Sequence, residues 1–146
     1  MKRTAVLSLL CVALAAGVAS ATTGPPSGTV TGRVLVNPMW VALVVPSGPV
    51  DAGKNFKVRA TVTNAGGTAL QNVAVTLVAP AALSLRDPAT QQVARIGPGG
   101  AATVKWDACS TATGGDVLLA RAATGPFVAE STGQLVQITQ AKKPKC

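Results

Sequence analysis

The sequence predicts an all-β sandwich, two antiparallel sheets packed face to face, and three observations carry that expectation. In Phe56, Val58, Ala60 and Val62 apolar side chains recur at every second residue, with Lys57, Arg59, Thr61 and Thr63 among them, the pattern of a strand with one dry and one wet face. Val73, Val75 and Leu77 repeat the alternation after an Asn64-Ala65-Gly66-Gly67 turn, and a sheet with one apolar face needs a second layer to cover it. Gly- and Pro-rich turns then recur about every 10 residues, the spacing of a many-stranded β fold. Outside the N-terminal run no window carries an apolar helical stripe.

Taken in order, Lys2 and Arg3, the apolar run Ala5 to Val18 and the small residues Ala19-Ser20-Ala21 read as a secretory signal over residues 1–21. The run falls short of the roughly 20 residues that span a bilayer, so no integral span is expected after cleavage. Cys11 lies inside this run behind Leu10, not at its end behind a small residue, which argues against a lipid anchor. Residues 22–39 form a flexible leader that can furnish an extra edge strand at Val30–Val36, before the Asn37-Pro38 break. Trp40 to Val45 is the next strand, and Pro46 to Gly53 turns the chain. Lys54 to Thr63 and Gln71 to Val78 are the strands on either side of the Asn64 to Thr68 turn, and Pro80 ends the second of them. Leu83–Leu85 and Val93–Ile96 are short pieces around Arg86-Asp87-Pro88. After the Gly97-Pro98-Gly99-Gly100 turn, Ala102, Val104 and Trp106 alternate with Thr103, Lys105 and Asp107. Thr111 to Gly115 is loop, Asp116 to Ala123 strand, Gly125-Pro126 a break and Gln134 to Gln140 the last strand. The sandwich therefore occupies residues 40–140, followed by a basic tail over 141–146 that ends in Cys146. A closed eight-stranded barrel is the alternative. The sandwich is preferred because the outer faces are polar and no bulky alternating lining is available for a lumen.

Removing 21 of the 146 residues leaves 125, one ordinary domain. That part carries 11 basic against 5 acidic residues, a net charge of +6. The cations are scattered singly except for Lys142, Lys143 and Lys145, read as a solvated tail or, alternatively, as a contact for an anionic wall polymer or lipid headgroup. Nucleic-acid binders usually interleave cations with aromatics. With no Tyr, two Phe and two Trp, nucleic acid is not an expected partner. Export would leave Cys109 and Cys146 in an oxidising compartment, where two thiols usually pair. An internal bridge would add about 3 to 4 kcal/mol by the chain-entropy estimate. The competing reading keeps Cys146 for an intermolecular link; the internal bridge is preferred because a lone exposed thiol is reactive.

The chain has no histidine, so it cannot build a Ser-His-Asp triad, a Cys-His pair or a His-ligated zinc site, and the commonest general base is missing. Its five carboxylates, Asp51, Asp87, Asp107, Asp116 and Glu130, form no close pair and no calcium-loop run. Gly97, Gly99 and Gly100 lack the Lys-Ser/Thr that follows a phosphate loop. Neither catalysis, a cofactor nor a metal is expected, and an enzyme would require distant acids to converge. Trp106 shares the core face of its strand. Trp40 and Phe127 are the candidate ligand-contact aromatics, although burial is the preferred reading for both.

Val50-Asp51-Ala52-Gly53, the strand ending Val62-Thr63-Asn64, Gly66-Gly67, Leu70 and the strand running into Pro80 and Leu83 resemble the immunoglobulin-like modules of prokaryotic surface and secreted proteins. These are the cell-adhesion-related domain found in bacteria (CARDB) and the related galactosidase-associated and conserved-repeat domains. Ile96-Gly97-Pro98-Gly99 ahead of Ala101-Ala102-Thr103-Val104 is similar to their Pro-Gly turn and following strand, and the likeness runs over residues 40–139. The Glu-x-Asn-Asn ending of the adhesion-type members is replaced by Glu130-Ser131-Thr132-Gly133. The resemblance implies an immunoglobulin-like antiparallel β-sandwich of about seven to nine strands. It implies a fold more than a task; with the signal and the absence of catalytic residues, the favoured reading is a secreted, non-catalytic module, extracellular or periplasmic, for protein–protein or cell-surface interaction. The expected partner is another exported or cell-surface protein, reached by strand addition at an exposed sheet edge. The alternative is a carbohydrate- or cell-wall-binding module with Trp40 or Phe127 against the glycan.

Overall fold

Wherever the alternation is long enough to define a face, the chain is a strand with that face inside. In β3 (Asn55–Asn64) Phe56, Val58, Ala60 and Val62 are buried and the residues between them are not. In β7 (Ala101–Ser110) Val104, Trp106 and Ala108 are buried. Residues 36–142 and 144–146 are described by the structure, a computed structural model. The expected signal over residues 1–21, the expected leader as far as residue 35 and Lys143 lie outside the described residues.

The remaining elements are β1 (Met39–Val44), β2 (Val50–Asp51), β4 (Leu70–Val78), β5 (Leu83–Leu85), β6 (Thr90–Ile96), β8 (Gly114–Thr124), β9 (Phe127–Glu130) and β10 (Gln134–Thr139). They form two sheets. One has the order β1-β3-β7-β5; the other has the order β2-β10-β8-β4-β6, with β9 beside β8. Val58, Val62 and Trp106 from the first sheet share a core with Val73, Val75, Leu118 and Val136 from the second, every one of them at 1% exposure or less. The fold is thus the all-β, immunoglobulin-like sandwich that the sequence predicts.

Asn64 ties two of the predicted turns together. It has no exposed surface. Its Nδ2 lies 2.8, 3.2 and 3.0 Å from the carbonyl oxygens of Thr68, Ile96 and Gly97, and its Oδ1 accepts the Gly66 amide at 2.9 Å. Two amide protons serve three acceptors, so every polar atom of this buried side chain is used. Asn72, at φ 50°, interrupts the period of β4. This left-handed residue, a conformation asparagine tolerates, lets Leu70 and Val73, three positions apart, both face inward.

Besides β6, which begins at Thr90 and not at the expected Val93 because β4 pairs with Thr90 to Gln92, three features differ from the expectation. Pro46 to Gly53 is not all turn: Val50 and Asp51 pair in parallel with Ile138 and Thr139, so one contact in an otherwise antiparallel fold runs the other way. Two residues carry no periodicity, and only their partner strand makes them β. The Gly125-Pro126 break is a two-residue hairpin turn, with Gly125 at φ 51°, that returns the chain as β9 onto β8. Glycine first in a two-residue loop is a hairpin signal. β8 also starts at Gly114, two residues ahead of the expected strand, because β10 pairs with Gly114 and Gly115.

Candidate functional site

The outer face of the β1-β3-β7-β5 sheet follows from strand alternation. Met39 and Leu43 of β1 are buried, so Trp40, Ala42 and Val44 face solvent. Register then builds cross-strand rows: Trp40 with Thr63 and Ala101, Ala42 with Thr61 and Thr103, Val44 with Arg59 and Lys105, and Lys57 with Asp107. The hydroxyls of Thr61 and Thr103 are 2.9 Å apart, and Lys57 Nζ sits 3.1 Å from Asp107 Oδ1.

The preferred burial of Trp40 is overturned: it is 70% exposed, because β1 gives its inward positions to Met39, Val41 and Leu43. The other aromatics are turned in. Trp106 and Phe56 belong to the core, Trp106 donating its ring N–H to the Pro88 carbonyl at 3.0 Å, and Phe127 is half-buried against the same core. Trp40 is therefore the open aromatic ring of the chain.

The sequence-distant carboxylates are spread over separate contacts. Asp107 pairs with Lys57, Glu130 lies 3.7 Å from Arg121, and Asp51 accepts the Thr139 hydroxyl at 2.8 Å. Asp87, brought beside β7, accepts the Asp107 amide at 2.8 Å. Among the described residues no group of three or more Cys, Asp or Glu could hold a metal ion.

Cys109 and Cys146 are joined by a disulfide. The tail is consequently tied down, with Pro144 and Lys145 running over Gly53 so closely that a Cβ there would fall 2.5 Å from the Lys145 nitrogen. Lys142 and Lys145 keep exposed side chains, while Lys143 lies outside the described residues. A shallow hollow lined by Ala52, Thr111, Gln140, Lys142 and Pro144 opens beside this strap.

One surface feature escapes the sequence reading. On the outer face of the other sheet Val117 and Leu135 are cross-strand partners, 58% and 53% exposed, and Val78 extends the strip beside Leu119. Gly115 and Gly133 leave room for it: a Cβ at Gly115 would lie 3.0 Å from Leu135, and one at Gly133 2.9 Å from Val117. The alternation marks these residues as outward, but only the register sets them side by side.

Among solved structures the chain is similar to the CARDB domain of a Pyrococcus furiosus protein in complex with di-metal ions. The identity is 17% and the TM-score 0.54, over 70% of this chain and 89% of that one. It is also similar to a FixG-related protein from Vibrio parahaemolyticus, at 10% identity and a TM-score of 0.53 over 71% of this chain and 99% of that one. A third likeness is to native alpha-2-macroglobulin from Escherichia coli, at 20% identity and a TM-score of 0.56, over 72% of this chain but 17% of that one. At these identities the likeness is one of fold. A search of curated proteins returns no match. The family described as the NPCBM-associated, NEW3 domain of alpha-galactosidase matches residues 50–124, just over half of the 146, from the start of β2 to the end of β8; the chain belongs to this NEW3 family and is an immunoglobulin-like module of the accessory kind.

Proposed function

We propose that the protein is an exported, non-catalytic module that docks onto another exported protein or onto the cell surface through β1 and the outward face beside it. The observation that carries this reading is Trp40, a large ring 70% exposed on an edge strand, where burial would be the ordinary fate of such a side chain. Around it lie hydroxyls, small residues and cations, the mixture of apolar platform and orienting polar groups that binding sites use. The strip at Val117 and Leu135 carries no exposed aromatic ring. Of the sheet edges, β2, β5 and β9 are two, three and four residues long, and β6 exposes Thr90, Gln92 and Arg95 along its length, which guards an edge against pairing. β1 is the better edge for a partner. Export is supported by the signal-like residues 1–21 and by the Cys109–Cys146 disulfide.

Fluorescently labelled protein titrated onto intact producing cells, and onto immobilised protein from their medium, tests the reading. Saturable binding to one of them is expected. Trp40→Ala should weaken it at least tenfold while changing stability by no more than about 0.5 kcal/mol, as expected of a solvent-facing substitution. Absence of binding to both, or binding that survives Trp40→Ala unaltered, would discard the reading.

A further inference from the structure

We infer that the ligand of the Trp40 face is an acidic polysaccharide, a linear chain bearing carboxylate or phosphate groups; this rests on the reading of that face as the docking site. Arg59 and Lys105 are directly opposed across β3 and β7, and like charges in that relation destabilise a sheet. Among the described residues neither has a carboxylate partner. Lys57 lies on the next row, and Arg86 is brought to the same end by its amide bond to the Asp107 carbonyl at 2.9 Å. The carboxylates there are already engaged, Asp107 by Lys57 and Asp87 by the Asp107 amide. The fold gains nothing from setting Arg59 against Lys105, while Lys57 is held by Asp107. An anion seated between Arg59 and Lys105 converts the repulsion into charge-assisted hydrogen bonds.

The floor of the face gives the ligand its shape. Rows on one side of a strand are about 7 Å apart, so the Arg59–Lys105 row lies about 14 Å from the Trp40 row. Between them stand only Ala42, Thr61 and Thr103, a shallow strip of small side chains. A linear glycan fits this length with one sugar ring laid by its C–H face on the Trp40 indole, a middle unit over the threonine hydroxyls, and its acidic group at Arg59 and Lys105. Single-stranded nucleic acid requires several stacking platforms, and this face has one.

Binding is measured by affinity electrophoresis of the purified protein in gels containing polygalacturonate, poly(glycerol phosphate) or neutral pullulan. The expected result is retention by an acidic polymer, weakening as salt rises; the more strongly retaining polymer shows whether carboxylate or phosphate is the group read. Arg59→Gln/Lys105→Gln should lower the affinity at least tenfold, Trp40→Ala should also weaken it, and Arg95→Gln on β6 should leave it unchanged. The double variant should keep or raise the thermal midpoint, since an opposed pair of like charges is removed, so its loss of binding is not unfolding. No retention by either acidic polymer, equal retention by pullulan, or an equal loss in Arg95→Gln overturns the inference. If Trp40-dependent docking to cells or to exported protein persists in that case, the docking reading stands and the acidic polysaccharide falls.

Discussion

Asn64 shows how much one side chain can hold. It joins the turn after β3 to the turn before β7 through the carbonyls of Thr68, Ile96 and Gly97 and the Gly66 amide, while its own amide bonds to the Gly100 carbonyl at 2.8 Å. Asn64→Ala would leave buried carbonyls without donors, at about 1 to 3 kcal/mol for each group stranded. The urea midpoint is expected to fall by the equivalent of about 3 kcal/mol in total. Asn64→Asp keeps the acceptor for Gly66 but loses the donors, and should fall at least as far; a small effect in both would mean that the turns hold themselves. Each turn is legible in the sequence as Asn-x-Gly and Pro-Gly, but their meeting on Asn64 is not, because the residues involved are 32 and 33 positions apart. The two tryptophans teach the same lesson. Trp106 sits in an unbroken alternation, so its burial is readable. Trp40 follows a proline in a short strand where parity alone decides its side, and parity needs the position of Met39.

At the scale of elements, short segments take their structure from what they touch. β2 exists because β10 lies beside it, and the residues after it stitch the sheets: the Ala52 amide bonds to Thr139 of β10 and the Gly53 amide to Ser110 of β7, both at 2.8 Å. The tail crosses the same place. Gly53, at φ 81°, combines a left-handed backbone with the close passage of Pro144 and Lys145, two demands that only glycine meets. The Cys109–Cys146 disulfide then closes a sequence separation of 37 residues, linking β7 of one sheet to the tail that leaves β10 of the other. Cys109→Ser/Cys146→Ser is expected to lose about 3 to 4 kcal/mol in guanidinium unfolding. Reductant should lower the wild type equally and leave the double variant unmoved. An unchanged midpoint would show that the passage over Gly53 holds the tail without the bond.

For the whole molecule, both sheets bury their apolar faces in a common core, so neither is stable without the other. Leu118→Ala in one sheet and Trp106→Ala in the other should cost about 2 to 5 and about 3 to 5 kcal/mol respectively, each moving a single far-UV circular dichroism transition, which in Leu118→Ala coincides with that of the buried Trp106 fluorescence. Two separated transitions would mean that the sheets unfold independently. The long strands, the dry side of each and the turns between them are properties of the sequence alone, because a period of two over eight or ten residues defines a face without knowledge of its neighbour. The parallel pairing of β2, the second hairpin arm β9, the exposure of Trp40 and the opposition of Arg59 to Lys105 were decided only by tertiary structure. The physical reason is that periodicity fixes which side of a strand is wet, whereas register across strands far apart in the chain fixes which wet residues stand together.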